Sequence, residues 1–314
     1  MFMEDQRNLS LDILKIILAV SVVFLHCHFL KNISNIGYFS TVEGLFRLAV
    51  PTFLIISGFY FFNITCLSKL KKWAIRLGLL YLIWMLIYSP YWLDLNNIPK
   101  TIYIFFNGYY ILWYLIGVLF SGFFVYLIRN LSTKIHIFLI LILFFMGCII
   151  QLLGNLHILN RYLDEIFNMN AVHRNFLLFC IPFFLTGYLI NKYKIFNKIE
   201  VNLPMLIIVL SLVVLESNLN RIFVSSSENL DQLFSLIIAS PILFTYFKNK
   251  NLKIKSKNLA NLSSAIYLVH PMILFSLSYY IILDETISSF IVLILAIIVG
   301  NLLIYLNKKL KYII

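Results

Sequence analysis

Charged side chains are scarce in this sequence. Only 12% of its 314 residues are Asp, Glu, Lys or Arg, whereas 61% are hydrophobic. Soluble domains carry about 25% charged residues, so the composition excludes an ordinary soluble protein. Acidic residues are the rarer sign, and the formal net charge is +12. In a soluble protein that balance would indicate a nucleic-acid partner. Here the basic residues serve to orient membrane spans, and we expect no nucleic-acid binding.

Cysteine is also scarce, and its positions exclude two common uses. The four residues Cys27, Cys66, Cys148 and Cys180 fit neither a disulfide framework nor a metal-binding motif. We therefore expect them to pack as apolar side chains, and we expect no metal ion. The first apolar run lacks the basic start and the cleavage site of a signal peptide, so we expect it to be retained as a span.

Apolar runs of membrane-spanning length are abundant. A helix needs about 20 apolar residues to cross the hydrocarbon core, and the runs predict an all-α bundle of about ten transmembrane helices. We expect one polytopic domain over residues 1–314, with no separate soluble domain. The predicted spans are 11–29, 42–62, 74–92, 106–128, 135–153, 174–190, 203–217, 231–247, 262–281 and 287–306.

The basic residues predict the orientation of these spans. Lys and Arg concentrate in loops on the cytoplasmic side of a membrane. If the N-terminus is cytoplasmic, most of the 25 Lys and Arg residues fall in inner segments, including the basic groups at 69–76, 248–257 and 308–311. This asymmetry favours a cytoplasmic N-terminus and a cytoplasmic C-terminus.

The first span carries ionisable residues on one face. Such residues cost at least about 2.5 kcal/mol each at the centre of a membrane, which makes them candidates for function. Asp12 and Lys15 are three positions apart and therefore adjacent on a helix. His26 follows Lys15 after eleven residues, on the same face and about 16 Å farther along. The alternative is that Asp12 and Lys15 extend to the interface and that His26 only packs.

The second span carries polar residues at matching depths. Glu43 and Arg47 are four positions apart and can pair. Pro51 is expected to kink the helix. Because this span runs antiparallel to the first, Arg47 should lie near the level of His26. Ser57 and Gly58 should then lie near the level of Lys15.

Two later segments also carry candidate residues. Trp113 lies inside the span predicted over 106–128, deep enough to belong to a functional site, and the alternative is the aromatic belt at the membrane surface. Tyr267 and His270 are on adjacent helical turns, and Pro271 is expected to break the helix locally and indicate a cavity. The alternative is a buried histidine bonded to a carbonyl. Glu216 is expected to be exposed. We assign no role to it or to the remaining histidines, which are His28, His136, His157 and His173.

These motifs, in this order, resemble the acyltransferase-3 family of bacterial membrane O-acyltransferases. The resemblance covers the whole chain. Members of this family typically carry a Leu-Asp-x-Leu-Arg segment followed by a histidine. They then carry an Arg with Val-Pro-x-Phe and Ser-Gly, a basic stretch, a Leu-Trp pair, and the motif Tyr-Leu-x-His-Pro. The matching segments here are Leu11–Lys15 with His26, Arg47 with Val50–Phe53 and Ser57–Phe59, Lys69–Arg76, Leu112–Leu115 and Tyr267–Pro271.

The resemblance implies transfer of an acyl group from cytoplasmic acyl-CoA, usually acetyl-CoA, to a hydroxyl of an extracytoplasmic glycan or glycolipid. The site would lie in the bacterial cytoplasmic membrane. His26 is expected to be the general base, or to carry a transient acyl group, and Arg47 to stabilise the oxyanion or orient His26. The residues expected to bind the donor are Asp12, Lys15, Ser57, Gly58, Lys71, Lys72, Arg76, Trp113, Tyr267 and His270.

The sequence departs from the family pattern at three positions. Lys15 replaces the usual Arg and keeps the charge without the bidentate fork. Trp73 and Ile111 stand where many members have a basic and a polar residue. Three rival functions remain open from the sequence: a transporter or flippase for a glycan or lipid-linked intermediate, a glycan polymerase, and a catalytically silent sensor. The acceptor, the acyl group and the oligomeric state are not determined by the sequence.

Overall fold

The computed structural model describes residues 7–228, 230–250, 252–254, 256–310 and 312–314, which are almost entirely helical. Lys255 and Lys311, two of the basic residues assigned to the inner side, lie outside the described residues. The helices are α1 Leu9–His26, α2 Asn35–Thr41, α3 Ala49–Phe61, α4 Leu67–Ile87, α5 Ser89–Trp92, α6 Ile98–Asn107, α7 Trp113–Ile128, α8 Thr133–Asn155, α9 Arg161–Phe167, α10 Asn170–His173, α11 Ile181–Lys192, α12 Leu203–Phe223, α13 Leu236–Lys250, α14 Asn258–Tyr280 and α15 Glu285–Asn307.

The membrane character predicted from composition is confirmed. Seven helical segments of the described chain are long and apolar enough to cross a bilayer: Leu9–His26, Asn35–Phe61, Tyr110–Ile128, Thr133–Asn155, Leu203–Phe223, Asn258–Tyr280 and Glu285–Asn307. The other three predicted spans correspond to α4, α11 and α13. Helix α4 begins with a basic stretch, and α11 with its preceding turn forms a shorter apolar helix over Phe176–Lys192. The count of about ten spans and the cytoplasmic termini stay predictions.

The second predicted span, 42–62, lies almost entirely within the single helical segment Asn35–Phe61, but that segment is irregular before Ala49. Helix α2 ends at Thr41, a 3-10 turn covers Leu45–Leu48, and α3 begins at Ala49. Pro51 is therefore the third residue of α3, where a backbone N–H would have no partner within the helix. The predicted kink at Pro51 is wrong, because proline in a first turn removes no helical hydrogen bond.

Two further boundaries differ from the predictions. The span predicted over 106–128 is interrupted, because Gly108 has a φ of 86° and ends α6 at Asn107. That conformation is open to glycine and strained for other residues. The helical path resumes at Tyr110. The break predicted at Pro271 is also wrong, since α14 continues through Pro271 from Asn258 to Tyr280.

The core is built around the crossing of α3 and α11. Phe183, Phe184 and Leu185 of α11 are completely buried. A side chain at Gly58 would collide with the backbone of Phe184, and one at Gly187 would collide with the backbone of Ile55. Small residues let membrane helices approach closely, so these two glycines allow α3 and α11 to pack tightly at the centre of the bundle.

A two-residue strand pair joins the starts of two site helices. Strand β1 (Arg7–Asn8) precedes α1 and pairs antiparallel with β2 (Lys253–Ile254), which precedes α14. Asn8 also caps α1, because its side chain accepts a hydrogen bond from the N–H of Leu11 at 3.2 Å. The start of α1 is therefore tied to the segment that precedes α14 in the chain.

Candidate functional site

His26 is the last residue of α1 and lies between two rings. Its Nδ1 atom is 3.0 Å from the hydroxyl oxygen of Tyr110. On another side its ring stacks on that of His270, with centroids 5.4 Å apart and 25° between the planes. Sequence reasoning predicted both histidines separately, and the structure brings them into direct contact.

His270 is held by the backbone of its own helix. Its Nδ1 atom is 3.2 Å from the carbonyl of Ile266, four positions earlier. Its Nε2 atom is buried and has no hydrogen-bond partner among the described residues. The hydroxyl of Tyr267 donates to the carbonyl of Ile111 at 2.8 Å. The reading of His270 as a buried histidine bonded to a carbonyl is therefore confirmed.

Arg47 is enclosed by two carboxylates. Its Nη2 atom is 2.6 Å from Glu43, and its Nη1 atom is 2.5 Å from Asp231. The Arg47 side chain is only 8% exposed. The predicted pairing with Glu43 is confirmed, and so is the predicted level of Arg47, because it lines a cavity together with His26. Two charged hydrogen bonds fix the guanidinium, and its buried Nε has no partner in the part of the chain that the structure describes.

Three residues of this charged cluster escaped sequence reasoning. Arg174 donates to Asp231 at 3.0 Å, and the Nε2 atom of His173 is 3.5 Å from the same carboxylate. The guanidinium of Arg174 also lies 5.2 Å from the centre of the Trp113 ring. The available signal was that Arg174 and Asp231 are the first residues of the spans predicted over 174–190 and 231–247, although ionisable residues at span ends often only extend to the interface.

Glu43 has further partners that hold its carboxylate in place. The hydroxyl of Tyr38 donates to it at 3.0 Å, and the N–H of Leu230 donates at 2.7 Å. Glu216, expected to be exposed, is half-buried instead and accepts from the N–H groups of Phe234 and Ser235 before α13. Both acids satisfy backbone groups where the segment before α13 meets the bundle.

Three cavities surround these residues. The large cavity, about 360 Å³, lies against His26, Tyr110, Trp113 and Arg174. The central cavity, about 40 Å³, is lined by His26, Arg47, Trp113, Arg174, Asp231 and Tyr267, among others. The Ser263 cavity, about 110 Å³, is lined by Phe53, Leu80, Tyr114, Leu115, Ser263, Ser264, Tyr267 and Leu268. His26 borders the first two cavities, and Tyr267 separates the second from the third.

The residues predicted for the donor lie in two places. Trp113, Tyr267 and His270 are at the cluster around His26. Asp12 and Lys15 pair at 3.2 Å on the first turns of α1, and the Lys15 ammonium is 5.9 Å from the centre of the Tyr60 ring. Tyr60 follows Ser57 and Gly58 by less than one turn, which agrees with the predicted common depth.

Ser57, Gly58 and the basic residues of α4 differ in their surroundings. The hydroxyl of Ser57 is 3.1 Å from that of Tyr114, whereas Gly58 packs against α11. Lys71, Lys72 and Arg76 are exposed on α4. Arg76 is one turn from Leu80 on the same face, and Leu80 lines the Ser263 cavity. Within the described chain, no three His, Cys, Asp or Glu side chains are grouped to hold a metal ion.

Comparison with known proteins supplies the chemistry for this arrangement. The family model described as "Acyltransferase domain" matches residues 8–306. The chain belongs to the acyltransferase-3 family. Membership supports acyl transfer as the general reaction, in agreement with the buried cluster around His26 and the apolar helices.

Two curated relatives share part of their length with this member of the family. Both are called "Amino-acid racemase" and come from Enterococcus faecalis. One is 25% identical over 98% of this chain and 47% of the relative, and the other is 27% identical over 63% and 30%. The chain thus spans less than half the length of these relatives. No solved structure matches it significantly.

Proposed function

We propose that the protein transfers an acyl group, acetyl in the simplest case, from cytoplasmic acyl-CoA to a hydroxyl of an extracytoplasmic glycan or glycolipid. The proposed location is the bacterial cytoplasmic membrane. The observation that carries the proposal is the position of His26, which borders both the large cavity and the central cavity. A base between two cavities can meet a donor on one side and an acceptor on the other.

The proposed donor route enters beside α4. The phosphates of acyl-CoA would bind Lys71, Lys72 and Arg76, with the Asp12–Lys15 pair as a further contact of the nucleotide. The slender pantetheine arm would then pass Leu80 into the Ser263 cavity. Tyr267 closes this cavity from the central cavity, since both are lined by its side chain. A shift of Tyr267 would let the thioester reach His26.

The chemical step uses His26 as the general base. The acceptor hydroxyl gives its proton to Nε2 of His26, and its oxygen bonds to the thioester carbonyl carbon. The carbon–sulfur bond then breaks, and the departing thiolate takes the proton to leave as free CoA thiol. The hydrogen bond between Nδ1 and Tyr110 leaves Nε2 available for this proton transfer.

The two arginines differ in what they can offer the reaction. Arg47 is held by Glu43 and Asp231 and is nearly inaccessible, so its proposed role is to orient the cluster. Arg174 is 27% exposed and borders both cavities. It is therefore better placed than Arg47 to donate to the oxyanion that forms in the transition state.

The test is acyl transfer by purified protein in proteoliposomes supplied with labelled acetyl-CoA and a glycan acceptor. His26→Ala should abolish transfer, while His157→Ala, at an exposed histidine, should leave it unchanged. Wild-type activity in His26→Ala would refute the mechanism. A transporter or flippase would show no turnover of acetyl-CoA, so the same assay separates that alternative from the enzyme.

A further inference from the structure

The large cavity combines polar and apolar walls. Polar side chains come from His26, Asn107, Asn170, Arg174 and Asn175. The remaining wall is mostly aromatic or aliphatic, with Phe106, Ile116, Phe120 and Phe176 among its members. A fully hydrophilic ligand would leave that apolar wall without a matching partner.

The apolar wall follows one face of α7. Trp113, Gly117 and Phe120 are separated by four and three positions, which places them in one row along the helix. The row begins at Trp113, next to Arg174, and ends at Phe120 about 10 Å farther along. Phe120 contacts Phe176, with ring centroids 5.3 Å apart. The cavity therefore extends along the helix away from the charged cluster.

The far end of this row is open. Phe120 is 40% exposed and Phe176 is 42% exposed. Helix α7 belongs to a segment that is long and apolar enough to cross a membrane, and Phe120 lies about 15 Å from the start of that segment at Tyr110. That is about half the thickness of the hydrocarbon core. The surface beside Phe120 therefore faces lipid chains, and the cavity opens sideways into the bilayer.

We propose that the acceptor is a saccharide anchored in the membrane, which enters the large cavity from the side. Its hydroxylated head lies at His26 among the asparagines, while its hydrocarbon chain lies along the row from Trp113 to Phe120. This inference rests on the proposed function and narrows its acceptor to a glycolipid. The hydrocarbon chain leaves lipid and not water, so the row adds packing contacts and holds the head beside His26, which a free polysaccharide would not gain.

Phe123 provides a matched comparison within α7. It is 39% exposed, close to the value for Phe120, but it does not line the large cavity. If this face of α7 only contacts bulk lipid, substitutions of the two phenylalanines should have equal effects. If it binds a glycolipid, binding should depend on Phe120 and not on Phe123.

The experiment uses the full chain in nanodiscs containing glucosyl-diacylglycerol with a photoreactive diazirine in one acyl chain. After irradiation, the cross-linked residues are mapped by mass spectrometry. Competitors are unlabelled glucosyl-diacylglycerol, phosphatidylglycerol with the same chains, and methyl glucoside. We expect cross-links at residues 116–120 and 176, displaced by the unlabelled glycolipid only. Phe120→Trp should reduce them at least about fivefold by filling the row, and Phe123→Trp should not.

The other outcomes overturn the inference. Equal displacement by phosphatidylglycerol means that bulk lipid fills the row, and displacement by methyl glucoside means that the head binds without the chain. Cross-links spread evenly over lipid-facing helices, or absent from the row, also exclude the site. Because this readout needs no acyl transfer, it is independent of the His26→Ala assay. Specific cross-links without any His26-dependent transfer would refute the proposed function but retain the lipid site.

Discussion

The Nδ1 atom of His26 lies 3.0 Å from the hydroxyl oxygen of Tyr110, although 84 positions separate the two residues in the chain. In the proposed mechanism, this contact leaves Nε2 of His26 to face the reactants. Tyr110→Phe should lower kcat about fivefold with little change in the KM for acyl-CoA, since one hydrogen bond is worth about 1 kcal/mol. Steady-state kinetics with Tyr109→Phe as the control would check this. An unchanged kcat would contradict a positioning role for Tyr110.

The enclosure of Arg47 predicts a large effect on stability. Arg47→Met leaves Glu43 and Asp231 with less compensation for their buried charge, and breaking a buried pair costs about 3–5 kcal/mol. The exposed pair Arg161–Glu165 is the control, because surface pairs contribute only about 0–1 kcal/mol. Denaturant unfolding in detergent should show a large loss for Arg47→Met and almost none for Arg161→Met. Similar losses for both variants would contradict the importance of the cluster.

The glycine contact at the centre of the bundle predicts opposite outcomes for similar substitutions. Gly58→Ala and Gly187→Ala place a methyl group against backbone atoms, which cannot move aside easily, and should cost about 1–3 kcal/mol or more. Gly78 on α4 has open space around it. Gly78→Ala should be neutral or stabilise the helix by up to about 1 kcal/mol. Thermal unfolding of the three variants measures the difference, and a destabilised Gly78→Ala would argue against the steric explanation.

The sequence predicted contacts within elements better than contacts between them. The pairing of Glu43 with Arg47 followed from a spacing of four. Asp231 could not be placed, because it comes from another segment 184 positions away. Periodicity along one helix says nothing about which distant loop reaches its end. A charged side chain at the end of a span lies either at the membrane interface or in the protein core. Only the packing of α11 and α13 determines which of these two positions it takes.

The helix boundaries show a related limit. The Asn107–Gly108 pair is a turn signal, but a continuous hydropathy window conceals it. Pro271 shows the reverse, because a residue that breaks isolated helices is accommodated in α14, where buried residues surround it. Tertiary packing overrode the local preference at that position. The apolar runs themselves were reliable, because lipid requires helices with satisfied backbone groups.

The proposed donor route predicts a specific kinetic effect at α4. Arg76→Gln should raise the KM for acyl-CoA about three- to tenfold with kcat nearly unchanged, because it removes binding common to substrate and transition state. Lys134→Gln, at an exposed lysine near the start of α8, is the control for a general change in surface charge. If both variants raise KM equally, the effect is unspecific. If neither does, the donor does not pass α4.

The local stability of an exposed loop outside the membrane is predicted to depend on pH. The pKa of His157 is raised, first by its hydrogen bond to Asp164 and then by the charges of Asp164 and Glu228. The stabilisation from the protonated imidazole is therefore fully present below the ordinary histidine pKa of about 6.5 and is lost as the pH rises through the raised value. Hydrogen exchange at residues 156–164, corrected for intrinsic rates, should show protection falling across that window. His157→Gln should remove the dependence, and its persistence would point to another group.

The strand pair anchors the start of α1, so the position of His26 relative to His270 depends on the number of residues in that helix. One inserted residue in α1 would rotate everything beyond it by about 100° and advance it by about 1.5 Å. His26 would then turn away from His270 and Tyr110, while the helix kept its apolar length and its place in the bilayer. The chemistry therefore tolerates far less variation in the length of α1 than membrane insertion does.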